Sequence, residues 1–99
     1  MMLAAAATPP ACHASIAAYY APDRKRPGFH TVVVTDDDYA LVGWYDEHSG
    51  GQGAFRRRHR RWCVLVNSGG AFRADELVRY GVPRPHAERL LAKMQRLRR

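Results

Sequence analysis

The sequence predicts one small α+β domain: an N-terminal helix, a four-stranded antiparallel β-meander and two C-terminal helices. Three observations carry this reading. Between Phe29 and Asn67, β-branched and aromatic residues run in short segments separated by turn residues, which suits pleated strands. Beyond Ser68-Gly69-Gly70 the apolar period becomes helical, with Ala87, Leu90, Leu91, Met94 and Leu97 at i, i+3, i+4, i+7 and i+10. The chain has 99 residues, of which 46% are hydrophobic, enough for one modest core.

The first ten residues are expected to be disordered or the remnant of a signal sequence, with residues 11–99 forming the domain. Met1-Met2-Leu3-Ala4-Ala5-Ala6-Ala7 reads like the end of a signal-peptide apolar region, although a basic segment before it is missing. Pro10 suits a first helical turn, where its missing N–H would be unpaired anyway. Ala11–Tyr20 then reads as a short helix with Ile16, Tyr19 and Tyr20 inward. The stretch from Ala21 to Pro27 is a polar, proline-bounded loop.

Phe29–Thr35 is the first strand and Asp36-Asp37-Asp38 a turn. Three adjacent carboxylates invite a calcium reading, but the alternate spacing, central glycine and distal glutamate of an EF-hand are absent. Tyr39–Tyr45 is the second strand. Ala40, Val42 and Trp44 share one face, Tyr39, Leu41 and Tyr45 the other, so it is expected to be central and covered on both sides. Ser49-Gly50-Gly51-Gln52-Gly53 reads as a hairpin loop needing positive φ. It lacks the Lys-Ser/Thr of a P-loop and the spacing of a dinucleotide fingerprint.

Ala54–Arg58 and Arg61–Asn67 form the third and fourth strands, joined at His59-Arg60. Strict alternation puts Trp62, Val64 and Val66 on one face of the fourth strand, Cys63 and Leu65 on the other. Arg73–Tyr80 is a short helix with Leu77 and Val78 inward and Gly81 at its C′ position. The last helix runs from about Pro85 to Arg96.

The formal charge is +7, and 14 of the 16 basic residues are arginine. Arginine suits bidentate contact with carboxylate or phosphate. Such a charge predicts attraction to polyanions without choosing among them. The sharpest concentration is Arg56, Arg57, Arg58, Arg60 and Arg61 at the last hairpin, a candidate anion-binding or nucleic-acid-binding tip. That tip has no aromatic for base stacking.

Other chemistry is sparse. Cys12 and Cys63 permit one disulfide or stand as two unrelated thiols. Cys12-His13, with Met1, Met2 and the free amine, is the one set suited to a soft metal such as Cu(I). The remaining histidines are scattered. Ser68 has no base placed by sequence, GxSxG is absent, and Glu76 and Glu88 are helix-surface positions. No enzyme and no cofactor are expected. No stretch approaches the ~20 apolar residues of a membrane span.

Four segments carry a family resemblance: Asp38-Tyr39-Ala40-Leu41-Val42-Gly43-Trp44, Gly50-Gly51-Gln52-Gly53-Ala54-Phe55, Arg61 through Gly70, and Tyr80-Gly81-Val82-Pro83. Their order and spacing resemble small secreted bacterial proteins, among them ones labelled copper-uptake-system-associated, and related cyanobacterial hypothetical proteins. Those proteins carry a cysteine five positions after the strand tryptophan; this chain has Asn67 there and Cys63 directly after Trp62. The resemblance implies export to the periplasm or beyond, with a cytoplasmic location as the alternative. Export in turn favours a Cys12–Cys63 disulfide. Three functional readings follow. The first is a non-enzymatic exported domain binding a partner protein or ligand. The second is a nucleic-acid or anion binder working through Arg56–Arg61, and the third a copper-handling accessory protein.

Overall fold

A computed structural model describes residues 11–97 of the chain. The α+β architecture is present, built on one antiparallel sheet. In chain order it comprises β1 (Cys12–His13), α1 (Ile16–Tyr20), a 3-10 turn (Ala21–Lys25), β2 (His30–Asp36), β3 (Tyr39–Tyr45), β4 (Gly50–Arg58), β5 (Arg61–Ser68), α2 (Ala74–Arg79) and α3 (Arg84–Leu97). The strand order is β1-β5-β4-β3-β2. The expected N-terminal segment, residues 1–10, lies outside the described residues.

The sheet has five strands where the sequence suggests four. The extra strand comes from the segment expected to begin the first helix. Ser15 explains the difference. Its backbone is extended and its hydroxyl accepts from the Ala18 N–H at 3.0 Å, so it caps the helix and keeps helical geometry from reaching back to Ala11. Cys12 and His13 are left extended and pair with Cys63 and Trp62 of β5.

Two apolar layers sandwich the sheet. On one face α2 and α3 bury Leu77, Ala87, Leu90 and Met94 against Val34, Leu41 and Ala54. On the other, α1 sets Ile16 and Tyr20 against Ala40, Val42 and Phe55, with Tyr19, Phe29, Trp44 and Trp62 packed around them. β3 is central, as its two apolar faces require: Ala40, Leu41 and Val42 are fully buried. Of the two helix residues expected inward, Leu77 is buried but Val78 stays 37% exposed. A six-residue helix offers the core little more than one residue per turn.

Strict alternation fails at one point in β5. Ala54 pairs with Val66, but the next residue, Phe55, pairs with Val64, so Leu65 is extra. This bulge turns the strand. Trp62 and Val64 face the α1 layer, while Leu65 and Val66 both pack on the α3 layer. Val66 therefore does not share a face with Trp62.

The glycine-rich segment is also not the loop the sequence suggests. Gly50, Gly51 and Gly53 lie inside β4, and the positive-φ glycines among the described residues are Gly28 and Gly81. The β3–β4 turn is made by Asp46, whose carboxylate accepts from the His48 N–H (2.9 Å), the Ser49 N–H (2.7 Å) and the Ser49 hydroxyl. Glycine serves close approach instead. A Cβ on Gly51 would collide with the Ser68 carbonyl and the Trp44 ring. Because one obstacle is backbone, Gly51→Ala is expected to destabilise the fold by about 1–3 kcal/mol in denaturant melts. Gly69→Ala, with open space around it, should stay within about 0.5 kcal/mol.

Candidate functional site

The β4–β5 hairpin reaches past the rest of the sheet. Tyr39↔Arg56 is the last pair between β3 and β4, whereas β4 and β5 continue pairing through Arg57↔Trp62 and Arg58↔Arg61. His59 and Arg60 close it with φ of 50° and 69°. Both lie in the left-handed region that a tight primed turn demands, an uncommon conformation for such side chains.

The five arginines divide by position. Arg57 lies on the α1 side with Trp62. Its guanidinium donates twice to Asp38, at 2.9 and 3.1 Å, and sits 5.5 Å from the Trp62 ring centre. Its charge is spent tying the β4 strand to the β2–β3 turn. Arg56, Arg58 and Arg61 point to the opposite face by strand alternation. Arg56 rests over Tyr39 at 6.0 Å, and Arg61 donates to the Cys12 carbonyl at 3.2 Å. Among the described residues none of Arg56, Arg58, Arg60 and Arg61 has an ion pair with a carboxylate, and Arg58 and Arg61 stand directly opposite each other. Like charges in that relation oppose strand pairing. An anion held between them would relieve it.

The two cysteines are joined: Cys12 and Cys63 face each other across β1 and β5 and form a disulfide. This removes the soft-metal arrangement at Cys12-His13. The Cys12 sulfur is no longer a thiolate, and the His13 ring packs edge-on against Tyr19, with centres 5.3 Å apart. Adjacent strand residues also point to opposite faces, so the pair does not converge on one ion.

Asn67 has a structural part. Its side-chain carbonyl accepts from the Tyr20 hydroxyl and the Trp44 indole, both at 3.1 Å, linking α1, β3 and β5. Burial raises the Tyr20 pKa well above its ordinary value, which keeps the hydroxyl a donor.

A second polar cluster was not legible as a unit in the sequence. Asp36 ends β2 with its side chain 11% exposed, and α3 aims three side chains at it. His86 Nδ1 lies 2.6 Å from one oxygen, Arg89 Nε donates to the same oxygen at 2.9 Å, and Lys93 Nζ donates to the other at 3.2 Å and to the Thr35 carbonyl at 2.6 Å. A carboxylate only accepts, so Nδ1 carries the hydrogen and Nε2 is the outer nitrogen. The i, i+3, i+7 spacing of His86, Arg89 and Lys93 was the available signal; which acid they met was not. Donor atoms of Asp36, Asp37 and His86 lie within 4.8 Å of one another, a spacing a metal could use. Arg89 and Lys93 already bring the positive charge there, and the cluster works as a brace between α3 and the β2–β3 turn.

The brace makes a pH prediction. His86, then Arg89 and Lys93, hold the Asp36 carboxyl down to about 2 from an ordinary 3.8. A depressed folded pKa contributes stability that is complete above about 4 and lost as pH falls toward 2. Acid titration of unfolding should show this loss, and Asp36→Asn should flatten it in part. Asp46, held low by the His48 N–H, adds to the loss; Asp75, held low by Arg84, adds less, because its 71% exposed side chain is screened by solvent.

Two open clefts of about 190 and 240 Å³ lie at the other end of the sheet, by Gly51 and Gln52 and by Arg26 and Asp46. Both are below the ~300 Å³ at which small-molecule pockets begin. Ser68 does not reach a helix start; its hydroxyl accepts from the Gly70 N–H at 3.3 Å. No helix among the described residues is long and apolar enough to cross a membrane. No protein-family model, curated protein or solved structure matches the chain, so the reading of function rests on these residues themselves.

Proposed function

We propose that this chain is a non-enzymatic, exported binding domain whose working surface is the β4–β5 ribbon and whose ligand is a polyanion. The observation that carries the reading is the directly opposed Arg58↔Arg61 pair, flanked by Arg56 and Arg60 and uncompensated by carboxylates among the described residues. Planar guanidinium groups on a rigid ribbon suit clustered phosphates or carboxylates, which they hold bidentately. Arg57 is not part of the binding set, because Asp38 already neutralises it. The Cys12–Cys63 disulfide supports export, since such bonds persist in oxidising compartments.

Fluorescence anisotropy with labelled inorganic polyphosphate tests the reading. Affinity should fall steeply and log-linearly with salt, each lost phosphate contact lowering the slope by roughly one. The Arg58→Gln/Arg61→Gln pair should make the slope shallower by about two and weaken binding by roughly tenfold or more at low salt. Arg57→Gln should change stability and leave the slope alone. Absence of binding by the wild-type chain at low salt, or an unchanged slope in the double variant, would sink the reading. Cell fractionation tests the location separately.

A further inference from the structure

The Cys12–Cys63 bond sits where the proposed binding ribbon leaves the sheet. β1 has two residues, paired to Cys63 and Trp62, and the Val64 N–H donates to the Ala11 carbonyl at 2.9 Å just before them. A strand this short does not hold an edge by itself; two residues contribute too few ladder bonds to offset the entropy of ordering them. The disulfide adds a covalent tie between β1 and β5. The ribbon in turn leans on β1. Arg61 donates to the Cys12 carbonyl at 3.2 Å, and His13 lies directly opposite Trp62, the residue on which Arg57 stacks.

The two cysteines differ in exposure. Cys63 is 2% exposed, whereas Cys12 lies on the edge strand and is half-buried. An incoming thiolate therefore reaches Cys12 first. The leaving sulfur is then Cys63, which stands directly across from Arg56 on β4 and two residues from Arg61. Guanidinium charge beside a departing thiolate lowers its pKa, and a lower pKa speeds departure.

We propose that this disulfide is a thiol-exchange site that latches the anion-binding ribbon, with a dithiol as its reductant. The thiolate of the dithiol attacks Cys12 Sγ, the Cys12–Cys63 bond breaks, and Cys63 leaves as a thiolate that then takes up a proton. The second thiolate of the same dithiol attacks its own sulfur in the mixed disulfide. It forms a cyclic disulfide and releases Cys12 as a thiolate, which is protonated in turn. Two electrons pass from the dithiol to the cysteine pair. With the bond open, β1 leaves the sheet edge, Arg61 loses its carbonyl anchor and Trp62 loses its partner on β1. The ribbon loosens and binds polyanions more weakly. This regulatory role rests on the ribbon being the binding surface; the exchange chemistry at Cys12 does not.

Dithiothreitol serves as the dithiol probe on the full chain in native buffer, with alkylation and mass spectrometry following the thiols. Opening should proceed faster than global unfolding, with the first mixed adduct on Cys12. Arg56→Gln and Arg61→Gln, which keep the bond, should each slow it several-fold. In the reduced protein the near-UV circular dichroism should persist while exchange of the Val64 amide rises at least tenfold. Polyphosphate affinity should drop at least threefold at fixed salt. Opening only at the rate of global unfolding, first attack on Cys63, or unchanged Val64 protection after reduction would overturn the latch. Equal affinity of oxidised and reduced protein would overturn its control of the ribbon. Failure of the oxidised protein to bind at all would instead remove the binding reading, leaving the exchange and amide measurements to decide the latch.

Discussion

Phe55→Ala is expected to lower the unfolding free energy by about 3–5 kcal/mol, the range for emptying a fully enclosed aromatic site. Phe55 has no exposed surface, and the Tyr19 and Tyr20 rings meet it edge-on at 5.3 and 6.0 Å. It sits at the bulge, where β5 changes face, and it joins α1 to the sheet. Removing it leaves a cavity between a five-residue helix and two strands, and loses the edge-to-face contacts as well. Chemical denaturation followed by tryptophan fluorescence measures this directly, since Trp44 and Trp62 line the same layer. Leu97→Ala is the control. That side chain is 58% exposed although it continues the apolar stripe of α3, so its loss should stay within about 0.5 kcal/mol. A loss below about 1 kcal/mol for Phe55→Ala would mean that the α1 layer is not packed as described.

Cys12→Ser is expected to cost a comparable amount, about 4 kcal/mol, by a different route. The bonded cysteines are 51 residues apart, so the bond closes more than half the chain into a loop and restricts the unfolded ensemble. Little native packing is lost with it, because β1 is two residues long. The signature is therefore a lower denaturant midpoint with near-native spectra before the transition. For a domain of this size the loss is a large share of the ~5–15 kcal/mol total, but it need not exhaust it. A fall of less than about 1 kcal/mol would indicate that the reduced chain keeps the same loop closed without the bond.

Much of the scaffold was legible from the chain itself. Tyr39–Tyr45 reads as a central strand because both faces are apolar, and it is one. The i, i+3, i+4, i+7 stripe of Ala87, Leu90, Leu91 and Met94 marks the helix that covers it. The His59-Arg60 tip also fell where the break between two β-runs placed it. The misreadings have different causes: the start of α1 turns on the local Ser15 cap, the others on contacts made across the sheet. Local rules value glycine for its φ and so place Gly51 in a turn, whereas the Ser68 carbonyl and the Trp44 ring are what exclude a Cβ there. Period two places Val66 with Trp62, and that period holds only until a bulge intervenes.

The candidate site divides along the same line. That five arginines share one hairpin follows from their order in the chain. Which of them remain uncompensated does not, because that depends on Asp38 reaching Arg57 across β3 and β4. The Asp36 brace likewise needed α3 to be laid over β2, fifty residues away, before its three donors had an acceptor. Local periodicity and turn chemistry thus determined, from sequence alone, the class of fold, the central strand and the charged tip. Tertiary structure alone decided the fifth strand, the two-sided packing of β5 and the sorting of the arginines. Strand pairing and charge compensation are long-range, and their energies depend on which atoms the folded chain brings within a few ångströms.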